Sequence, residues 1–526
     1  MAEPPQVDPD ATILWQPVDT STVVDLGHDV QPVPEAERVD PGQTAFTEVA
    51  ASAFLGDTVA GGNSHGVGVG FFDVDGDGWE DVLIANGRTN DDSTAYGSQL
   101  WRNNGDGTFR DESVASGVAG ILAGKDTYSI AAADFDADGD LDVHITTHPT
   151  DLLLVNQGDG TFVDGTSAAG LGGPPSEPAR SGSSKIGAFG DLDNDGYVDL
   201  AVASSQFLSH SAHVYVMRNR GDGTFEDATG GTRVSDSGNP CAVLWTDYDN
   251  DGWQDLMVWN DRGNASRNRT LLRNLGDGTF GDVTEATLLN GPAVGNPMGI
   301  DSADVNRDGF LDYYVGNIGG NVLLLSRGDG TFIDTAAAAG VLGTFGWGLG
   351  FEDLNADTYW DLFVAQEDER DYLSFTNQGQ TDPPQFTEQG WSHGLIGDGH
   401  NVAVAFADYD HDGDVDVVTA GTSGARANLF RNDTERGTAR WLEVRVTERP
   451  ITGARGGVAG RVVVETPEVT LWRDLTAGSS RASQSALSAR FGLGQFTGAE
   501  RVAVVWPDGS SLVVVGVEGN QTLTLP

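Results

Sequence analysis

Cysteine, lysine and basic charge are scarce in this sequence. Its 526 residues include one cysteine, Cys241, which excludes an intrachain disulfide and a cysteine-based metal cluster. Only two lysines occur, Lys125 and Lys185, so arginine supplies almost all of the positive charge. The 29 basic and 79 acidic residues give a formal net charge of −50. This charge argues against nucleic acid and anionic lipid as partners, because both bind through clustered basic side chains.

Long apolar runs and helical periodicity are also missing. No stretch reaches the length of about 18 consecutive apolar residues that a membrane-spanning helix needs. Residues 1–5 lack the basic end and apolar run of a signal peptide, so we expect any native leader to have been removed. The chain is nevertheless able to build a core, because 38% of its residues are hydrophobic and it contains 12 Trp, 10 Tyr and 22 Phe.

What the sequence does contain is an acidic nine-residue motif that occurs seven times. The pattern Asp-x-(Asp/Asn)-x-Asp-Gly-x-x-Asp, with Thr replacing Gly once, recurs roughly every 55 residues. Around each copy, short apolar runs alternate with Gly, Asp and Asn turns, which is typical of four short strands per repeat. Seven four-stranded repeats predict an all-β fold, a seven-bladed β-propeller. The motifs begin at Asp73, Asp134, Asp191, Asp247, Asp304, Asp353 and Asp408.

The repeat pattern also predicts the domain boundaries. We expect residues 1–44 to be an extended lead-in, 45–436 to be the propeller and 437–526 to be a small C-terminal β domain. The seventh repeat stops near Asn432 without a fourth strand, and a matching strand signal lies at residues 46–50. We therefore expect residues 46–50 to complete blade seven and close the ring, which would remove exposed sheet edges.

The acidic motifs are predicted to be metal-binding loops. Positions 1, 3, 5 and 9 carry side-chain oxygens, glycine at position 6 permits a sharp turn, and the carbonyl of position 7 can face inward. A cage of six or seven oxygens suits Ca²⁺, so the cofactor prediction is up to seven calcium ions. The alternative is that the motifs are acidic turns without metal. The predicted ligands are Asp73, Asp75, Asp77, Trp79, Asp81; Asp134, Asp136, Asp138, Asp140, Asp142; Asp191, Asp193, Asp195, Tyr197, Asp199; Asp247, Asp249, Asp251, Trp253, Asp255; Asp304, Asn306, Asp308, Phe310, Asp312; Asp353, Asn355, Asp357, Tyr359, Asp361; and Asp408, Asp410, Asp412, Asp414, Asp416.

These loops, with preceding strands such as residues 346–351, resemble the FG-GAP/VCBS repeats of integrin-α-like propellers. The tail resembles the ASPIC/UnbV domain, and the combination resembles the cartilage acidic protein family and its bacterial relatives. The resemblance implies a secreted calcium-binding propeller. The tail residues that carry it are Trp441-Leu442-Glu443-Val444, Gly456-Gly457-Val458-Ala459-Gly460-Arg461-Val462, Phe491-Gly492-Leu493-Gly494, Trp506-Pro507-Asp508-Gly509 and Asn520-Gln521.

A second candidate site lies at the central channel. If the loops form the bottom face, as in integrin-like propellers, the start of each first strand lies at the top. Such a mixed ring of side chains could bind a small molecule or sugar, and the alternative is that these side chains pack and fill the channel. The candidates are Trp347, Met298 and Cys241 for ligand binding and His65, Tyr128, Lys185 and His400 for acid/base chemistry.

The function that the sequence favours is binding of a protein or glycan partner, or of a small molecule, on the top face. We expect an extracellular, cell-surface or periplasmic location. The alternative is an enzyme, a polysaccharide lyase or a natural-product cyclase, that uses the acid/base candidates at the channel mouth. Enzyme signatures such as a nucleophile elbow, a His-Glu-x-x-His motif or a phosphate loop are absent from the sequence.

Overall fold

The structure is a computed structural model. It describes residues 23–27, 31, 44–53, 67–86, 97–148, 150–171, 183–205, 213–234, 240–260, 269–287, 289, 296–366, 372–397, 400–421, 426–447, 457–478 and 480–525. Within these residues the chain is almost entirely β. Its three helices, Val118–Ile121, Thr229–Thr232 and Ala336–Ala339, are single turns, and no helix of the described residues has the length and apolar character to cross a membrane.

Seven similar antiparallel sheets follow one another along the described part of the chain. In each, a first strand leads into an acidic loop, and a second, third and fourth strand follow. The strands are Val67–Phe72, Asp81–Asn86, Gln99–Asn103 and Phe109–Asp111 in repeat one; Asp126–Ala133, Asp142–His148, Leu152–Asn156 and Phe162–Asp164 in repeat two; Ser183–Gly190, Asp199–Ser205, His213–Asn219 and Phe225–Asp227 in repeat three; Pro240–Thr246, Asp255–Asn260, Arg269–Asn274 and Phe280–Asp282 in repeat four; Pro297–Ala303, Asp312–Asn317, Val322–Ser326 and Phe332–Asp334 in repeat five; Gly346–Glu352, Asp361–Gln366, Leu373–Thr381 and Pro384–Glu388 in repeat six; and Asn401–Ala407, Asp416–Gly421 and Asn428–Asn432 in repeat seven.

The first strands lie at the centre of the molecule and contact one another in sequence. The first strand of repeat seven contacts that of repeat one, so the sheets form a closed ring. Close approach at the centre requires small residues: a Cβ on Gly299 would lie 2.1 Å from the carbonyl oxygen of Trp347 in the next repeat. The predicted all-β architecture of repeated four-stranded sheets, as in a β-propeller, is therefore confirmed.

The N-terminal part of the chain supplies a strand to repeat seven. Phe46–Glu48 pairs antiparallel with Asn428–Asn432, with Phe46 opposite Asn432, and takes the place of a fourth strand. Phe46 is buried in a cluster that includes Phe406 and Phe430 of the same repeat. Burial of this aromatic side chain holds the strand against the sheet, since an aromatic ring buries a large apolar area.

The C-terminal region forms two further sheets. One joins Arg440–Val446, Ser488–Gly494 and Gln521–Leu525. The other joins Arg461–Glu465, Thr470–Asp474, Gly498–Val505 and Ser511–Glu518, and Val23–Asp25 from the N-terminal segment is added in parallel to its edge. The alternating valines of these strands are buried between the sheets. This C-terminal domain packs against the face of the ring that carries the acidic loops, which we call the metal-loop face.

Candidate metal centres

Each acidic loop is shaped by hydrogen bonds from its own backbone to its carboxylates. In repeat one, Asp73 accepts the N–H of Asp77 at 3.1 Å on Oδ1 and the N–H of Gly78 at 2.8 Å on Oδ2. Gly78 has φ +92°, a left-handed conformation that glycine adopts without steric cost. In repeat six Thr358 adopts φ 81° at the same position and its N–H still reaches Asp353, at 2.8 Å. The turn therefore survives where the glycine is missing.

Carboxylates converge in five of the described loops. In repeats one, two, three and seven the acids at positions 1, 3 and 9 each offer an oxygen atom, and these atoms lie within 4.8 Å of one another; in repeat four the acids at positions 1, 3 and 5 do so. Repeats five and six carry Asn306 and Asn355 at position 3, so an amide oxygen replaces one carboxylate there. Oxygen atoms at this spacing, without nitrogen or sulfur, are a donor set for a hard divalent cation.

Several of these carboxylate oxygens are buried without a hydrogen-bond partner. They are Oδ1 of Asp136, Asp193 and Asp249, all at position 3, and Oδ1 of Asp408 at position 1. An unsatisfied buried carboxylate oxygen is costly, so such atoms call for a missing partner. A cation inside the loop would supply that partner, and the residues present therefore fit a bound metal.

The aspartate at position 9 ties each loop to its own sheet. Asp81 accepts the N–H of Val74 at 3.1 Å on Oδ2 and the N–H of Asn103 at 2.8 Å on Oδ1. The equivalent pair of bonds is made by Asp142, Asp199, Asp255, Asp312, Asp361 and Asp416. Each carboxylate oxygen has a second lone pair, so both oxygens remain able to face a cation.

Burial favours the protonated form of these carboxylates when no cation is bound. Burial is the main cause that raises the pKa of Asp81 to about 8 and that of Asp142 to about 9; the neighbouring loop carboxylates add to it, and the backbone N–H groups act against it. Burial likewise holds the pKa of Asp199 and Asp416 well above the usual range. A divalent cation would reverse this balance, because its charge stabilises the ionised form.

An asparagine at the end of the third strand connects neighbouring loops, and the sequence analysis did not single it out. The Asn103 amide donates to the carbonyl of Glu80 in its own loop at 3.2 Å and to the carbonyl of Tyr409 in the loop of repeat seven at 2.8 Å. Six repeats make this bond to position 2 of the preceding loop, and repeat five has Ser326 instead. In five of the six the sequence signal was an asparagine two residues before a Gly turn, and Asn432 lacks that turn. The six are Asn103, Asn156, Asn219, Asn274, Asn377 and Asn432.

Side chains at position 4 also reach the next loop around the ring. Asn250 donates to the carbonyl of Gly309 at 2.9 Å. The His411 ring stacks on the Trp79 ring with centroids 3.9 Å apart and an angle of 7°. Together with the asparagines, these contacts link the described loops around the ring.

Arginines on the third strands face the position-3 aspartates. Arg273 contacts Asp249 at 2.7 Å and Asp251 at 2.9 Å, and Arg102 and Arg218 pair with the position-3 acids of their own repeats. Repeats five and six, which have Asn at position 3, carry Leu325 and Thr376 at the equivalent place on the third strand. Repeat two has Val155 at this place although Asp136 stands at position 3, so the arginine is not a general partner of this aspartate.

The channel candidates lie in different surroundings. Trp347 and Met298 are buried against Arg481 of the C-terminal domain, whose guanidinium lies 4.0 Å above the Trp347 ring centre and 3.1 Å from the Met298 sulfur. The buried Cys241 thiol lies 2.9 Å from the carbonyl oxygen of Pro297 in the next repeat. These contacts are packing contacts between parts of this chain.

The acid/base candidates do not meet in one cluster of the described residues. The Tyr128 hydroxyl donates to Asp126 at 3.0 Å, and His400 is exposed at φ 58° just before the first strand of repeat seven. Lys185 lies in the strand Ser183–Gly190, and its side chain is outside the described part of the structure. His65 also lies outside the described residues.

The comparison with family models identifies both parts of the chain. The model of the FG-GAP-like repeat matches residues 73–145, 134–202, 191–258, 247–315, 304–364 and 353–419, and the ASPIC and UnbV model matches residues 452–526. Cartilage acidic protein 1 of Homo sapiens is 24% identical over 479 residues, and that of Mus musculus is 23% identical over 478. Each alignment covers 88% of this chain but only 63% and 64% of the relatives, so the chain spans less than two thirds of their length.

Two solved structures are similar over most of this chain. A lectin of Agrocybe aegerita that recognises non-reducing terminal N-acetylglucosamine matches with 17% identity and a TM-score of 0.41, covering 75% of this chain and 99% of the lectin. A structure of BBS1N in complex with ARL6DN matches with 11% identity and a TM-score of 0.42, covering 72% and 96%. The family models match more than half of the sequence, and the chain therefore belongs to the FG-GAP repeat family and carries an ASPIC/UnbV domain.

Proposed function

We propose that this protein is an extracellular, calcium-stabilised, seven-bladed propeller that binds a protein or glycan partner on the face opposite the metal loops. The proposal rests on a difference between the two faces of the ring. The metal-loop face is occupied by the chain's own C-terminal domain, whereas His400 is exposed at the start of a first strand, at the opposite face.

Calcium is favoured over other metals by the donor set. The converging groups are carboxylate and amide oxygens on a loop of nine residues, and buried carboxylate oxygens lack partners. Ca²⁺ accepts six to eight such oxygens in irregular geometry, whereas Mg²⁺ demands a tight octahedron and keeps its water. When bound, the ion would neutralise the loop carboxylates. The residues that would hold it are the acids at positions 1, 3, 5 and 9 and the carbonyl at position 7.

We propose an extracellular location on the same chemistry. Extracellular calcium modules bind with dissociation constants on the order of 10⁻⁴–10⁻³ M, which suffices only where calcium is millimolar. The loops carry counter-charges such as Arg273 beside Asp249, which lower the attraction for a cation and favour affinities in this weaker range.

The calcium proposal is tested by titration calorimetry of the full chain after chelator treatment. We expect heat of binding with CaCl₂ and much weaker binding with MgCl₂. The variants Asp81→Asn and Asp142→Asn should each remove binding at one loop. Asp106→Asn is the matched control, because Asp106 is an exposed aspartate in a Gly-Asp-Gly turn. If CaCl₂ gives no heat, or if Asp106→Asn has the same effect as Asp81→Asn, the calcium proposal is wrong.

The partner proposal is tested by displaying the full chain, in millimolar calcium, to arrays of glycans and of extracellular protein domains. Binding to a hit should be lost in His400→Glu, which adds a negative charge to the opposite face. Val114→Glu is the control, because Val114 is 85% exposed in the connection that follows the fourth strand, at the outer side of the ring. A hit that is lost in Val114→Glu and retained in His400→Glu would place the partner on the rim and overturn the proposal.

A further inference from the structure

The C-terminal domain contacts residues within the acidic loops as well as residues around them. Among the described residues, contacts of this kind reach six of the seven loops. They are Arg445 to the Gly78 carbonyl at 2.6 Å, Asn194 to the Pro507 carbonyl at 3.3 Å, Arg461 to the Asn250 amide oxygen at 2.8 Å, the Trp472 indole to Asp304 at 3.1 Å, the Gly494 N–H to the Ala356 carbonyl at 3.1 Å, and Trp441 packed on Gly413.

At loops six and seven, parts of the C-terminal domain approach the loops closely. A Cβ on Gly492 would lie 2.1 Å from Asp353 Oδ2, and a Cβ on Gly413 would lie 2.0 Å from the Trp441 indole nitrogen. The Trp472 indole donates to Asp304, which is a predicted metal ligand. The C-terminal domain therefore fits one shape of these loops, and a loop that opens would lose the fit.

A second part of the C-terminal domain enters the central channel. We call residues 477–486 the axial segment. Its described residues are buried or, at Ser485, half-buried, and its strand Ser483–Gln484 pairs in parallel with the first strand of repeat one, with Ser483 opposite Val69. The tip lies beside the start of the first strands, where Arg481 packs on Trp347.

The axial segment gives hydrogen-bond partners to first strands around the ring. The Ala477 carbonyl accepts the Phe189 N–H at 2.9 Å, and the Ser480 N–H donates to the Ile300 carbonyl at 2.9 Å. Within the described residues, hydrogen bonds reach six of the seven first strands. The serine hydroxyls of the segment accept the N–H groups of Leu349 (2.8 Å, Ser480), Val404 (3.0 Å, Ser483) and Phe406 (3.2 Å, Ser485), and the Gln484 amide oxygen lies 3.4 Å from the Ala132 N–H.

Arginines complete the attachment at the metal-loop face. Arg445 contacts Glu80 in the loop of repeat one at 2.6 Å, and Arg473 contacts Glu352, just before the loop of repeat six, at 3.0 Å. Arg490 pairs at 2.8 Å with the fully buried Glu443 of its own domain and also lies 3.8 Å from Glu80 of the ring. These ion pairs are desolvated, so each depends on its partner staying in place.

We propose that the C-terminal domain is a metal-dependent clasp. The axial segment closes the channel and the outer contacts hold the loops, so that removing metal releases the clasp while the sheets of the ring stay folded. This inference rests on the proposed calcium binding, because it is the metal that would fix the shape of the loops. It also implies that no ligand passes through the ring, and that a ligand at the opposite face meets Arg481 as the end of the channel.

The clasp is tested by hydrogen–deuterium exchange of the full chain in CaCl₂ and in excess EGTA. With EGTA, we expect exchange to rise first at residues 477–486 and at the amides of Phe189, Leu349, Val404 and Phe406. The amides of residues paired between second and third strands, such as those of Val82 and Trp101, should keep their protection. Titration calorimetry of the same sample checks separately that calcium binds.

A triple variant tests the axial segment directly. Ser480→Ala, Ser483→Ala and Ser485→Ala together remove three bonds to first strands, and in CaCl₂ should lower the protection of Leu349, Val404 and Phe406 by roughly 10- to 100-fold. Ser113→Ala is the matched control, because the buried Ser113 hydroxyl accepts the Leu100 N–H at 3.1 Å within repeat one alone. Arg473→Ala removes one outer contact and should raise the calcium concentration at which the segment becomes protected.

The outcomes separate the two proposals. Absence of calcium binding would refute the calcium proposal and with it the metal dependence of the clasp. Calcium binding with an axial segment that stays protected in EGTA would refute the clasp alone. Simultaneous loss of protection in the axial segment and in the second and third strands would also refute it, because the clasp must open before the ring.

Discussion

The asparagine that bridges neighbouring loops gives a quantitative test of how the ring is held together. Asn103 is 1% exposed, donates to the carbonyls of Glu80 and Tyr409, and accepts the Gly105 N–H at 2.9 Å. In repeat five, Ser326 occupies the same place and accepts the Gly328 N–H at 3.3 Å. Asn103→Ser should therefore retain the turn bond and lose both bonds to carbonyls.

The magnitude follows from the two buried carbonyls that lose their donor. Each lost bond with an unsatisfied buried acceptor costs about 1–2 kcal/mol, so Asn103→Ser should lower the free energy of unfolding by about 2–4 kcal/mol. The reverse change, Ser326→Asn, should raise it by about 1–2 kcal/mol, because the new amide can reach the Tyr248 carbonyl in the preceding loop. Asn104→Ser, at the exposed neighbouring position, should change stability by less than about 0.5 kcal/mol.

The assay is urea denaturation in saturating calcium, followed by tryptophan fluorescence, with the midpoint and slope fitted for each variant. Calcium titration of the same variants separates a stability effect from loss of metal. If Asn103→Ser and Asn104→Ser have the same midpoint, the bridging role is refuted. If Ser326→Asn destabilises the protein, the asparagine is not the element that links the loops.

Three further predictions concern protonation and ring closure. The pKa of Asp81 is about 8 in the folded protein and about 4 in the unfolded chain, so the stability of the calcium-free protein should fall as the pH rises from 4 through 8. Calcium binds the ionised form, so the difference in melting temperature between CaCl₂ and EGTA should be larger at pH 8 than at pH 5. An equal difference at both pH values would contradict this. Burial lowers the pKa of His393 to about 4. Between pH 7 and pH 4.5 the free energy of unfolding should therefore fall by about 2 kcal/mol more in the wild type than in His393→Gln, measured by urea denaturation at both pH values. Phe46→Ala should lower the free energy of unfolding by about 3–5 kcal/mol, and deletion of residues 1–52 should lower the melting temperature strongly. Unchanged melting curves would refute ring closure by this strand.

The acidic loops could be predicted residue by residue because their chemistry is local. Asp73 and Gly78 are five residues apart and bond to each other directly, so the spacing alone fixes which groups meet. The same holds for the strands on either side, whose apolar runs are bounded by Gly-Asp-Gly turns. The all-β class and the succession of four-stranded units follow from these short-range patterns.

The surroundings of the channel candidates could not be read in this way. Trp347 and Met298 lie on different repeats, and the group that packs on both is Arg481, far along the chain. Its contact with Met298 joins residues separated by 183 positions. The repeat pattern predicts a channel lined only by the first strands of the repeats. In the structure, a segment of the C-terminal domain also lies in the channel.

The repeat, the acidic motif with its oxygen-bearing side chains and the all-β class could be read from the sequence, since each depends on residues within one repeat or one strand. The position of the C-terminal residues, the side chains that fill the channel and the way neighbouring loops are joined depend on tertiary contacts. The Arg445 contact with Gly78 spans 367 positions and the Trp472 contact with Asp304 spans 168. Such contacts form because buried polar groups need hydrogen-bond partners. No local sequence pattern indicates which distant group will be the partner.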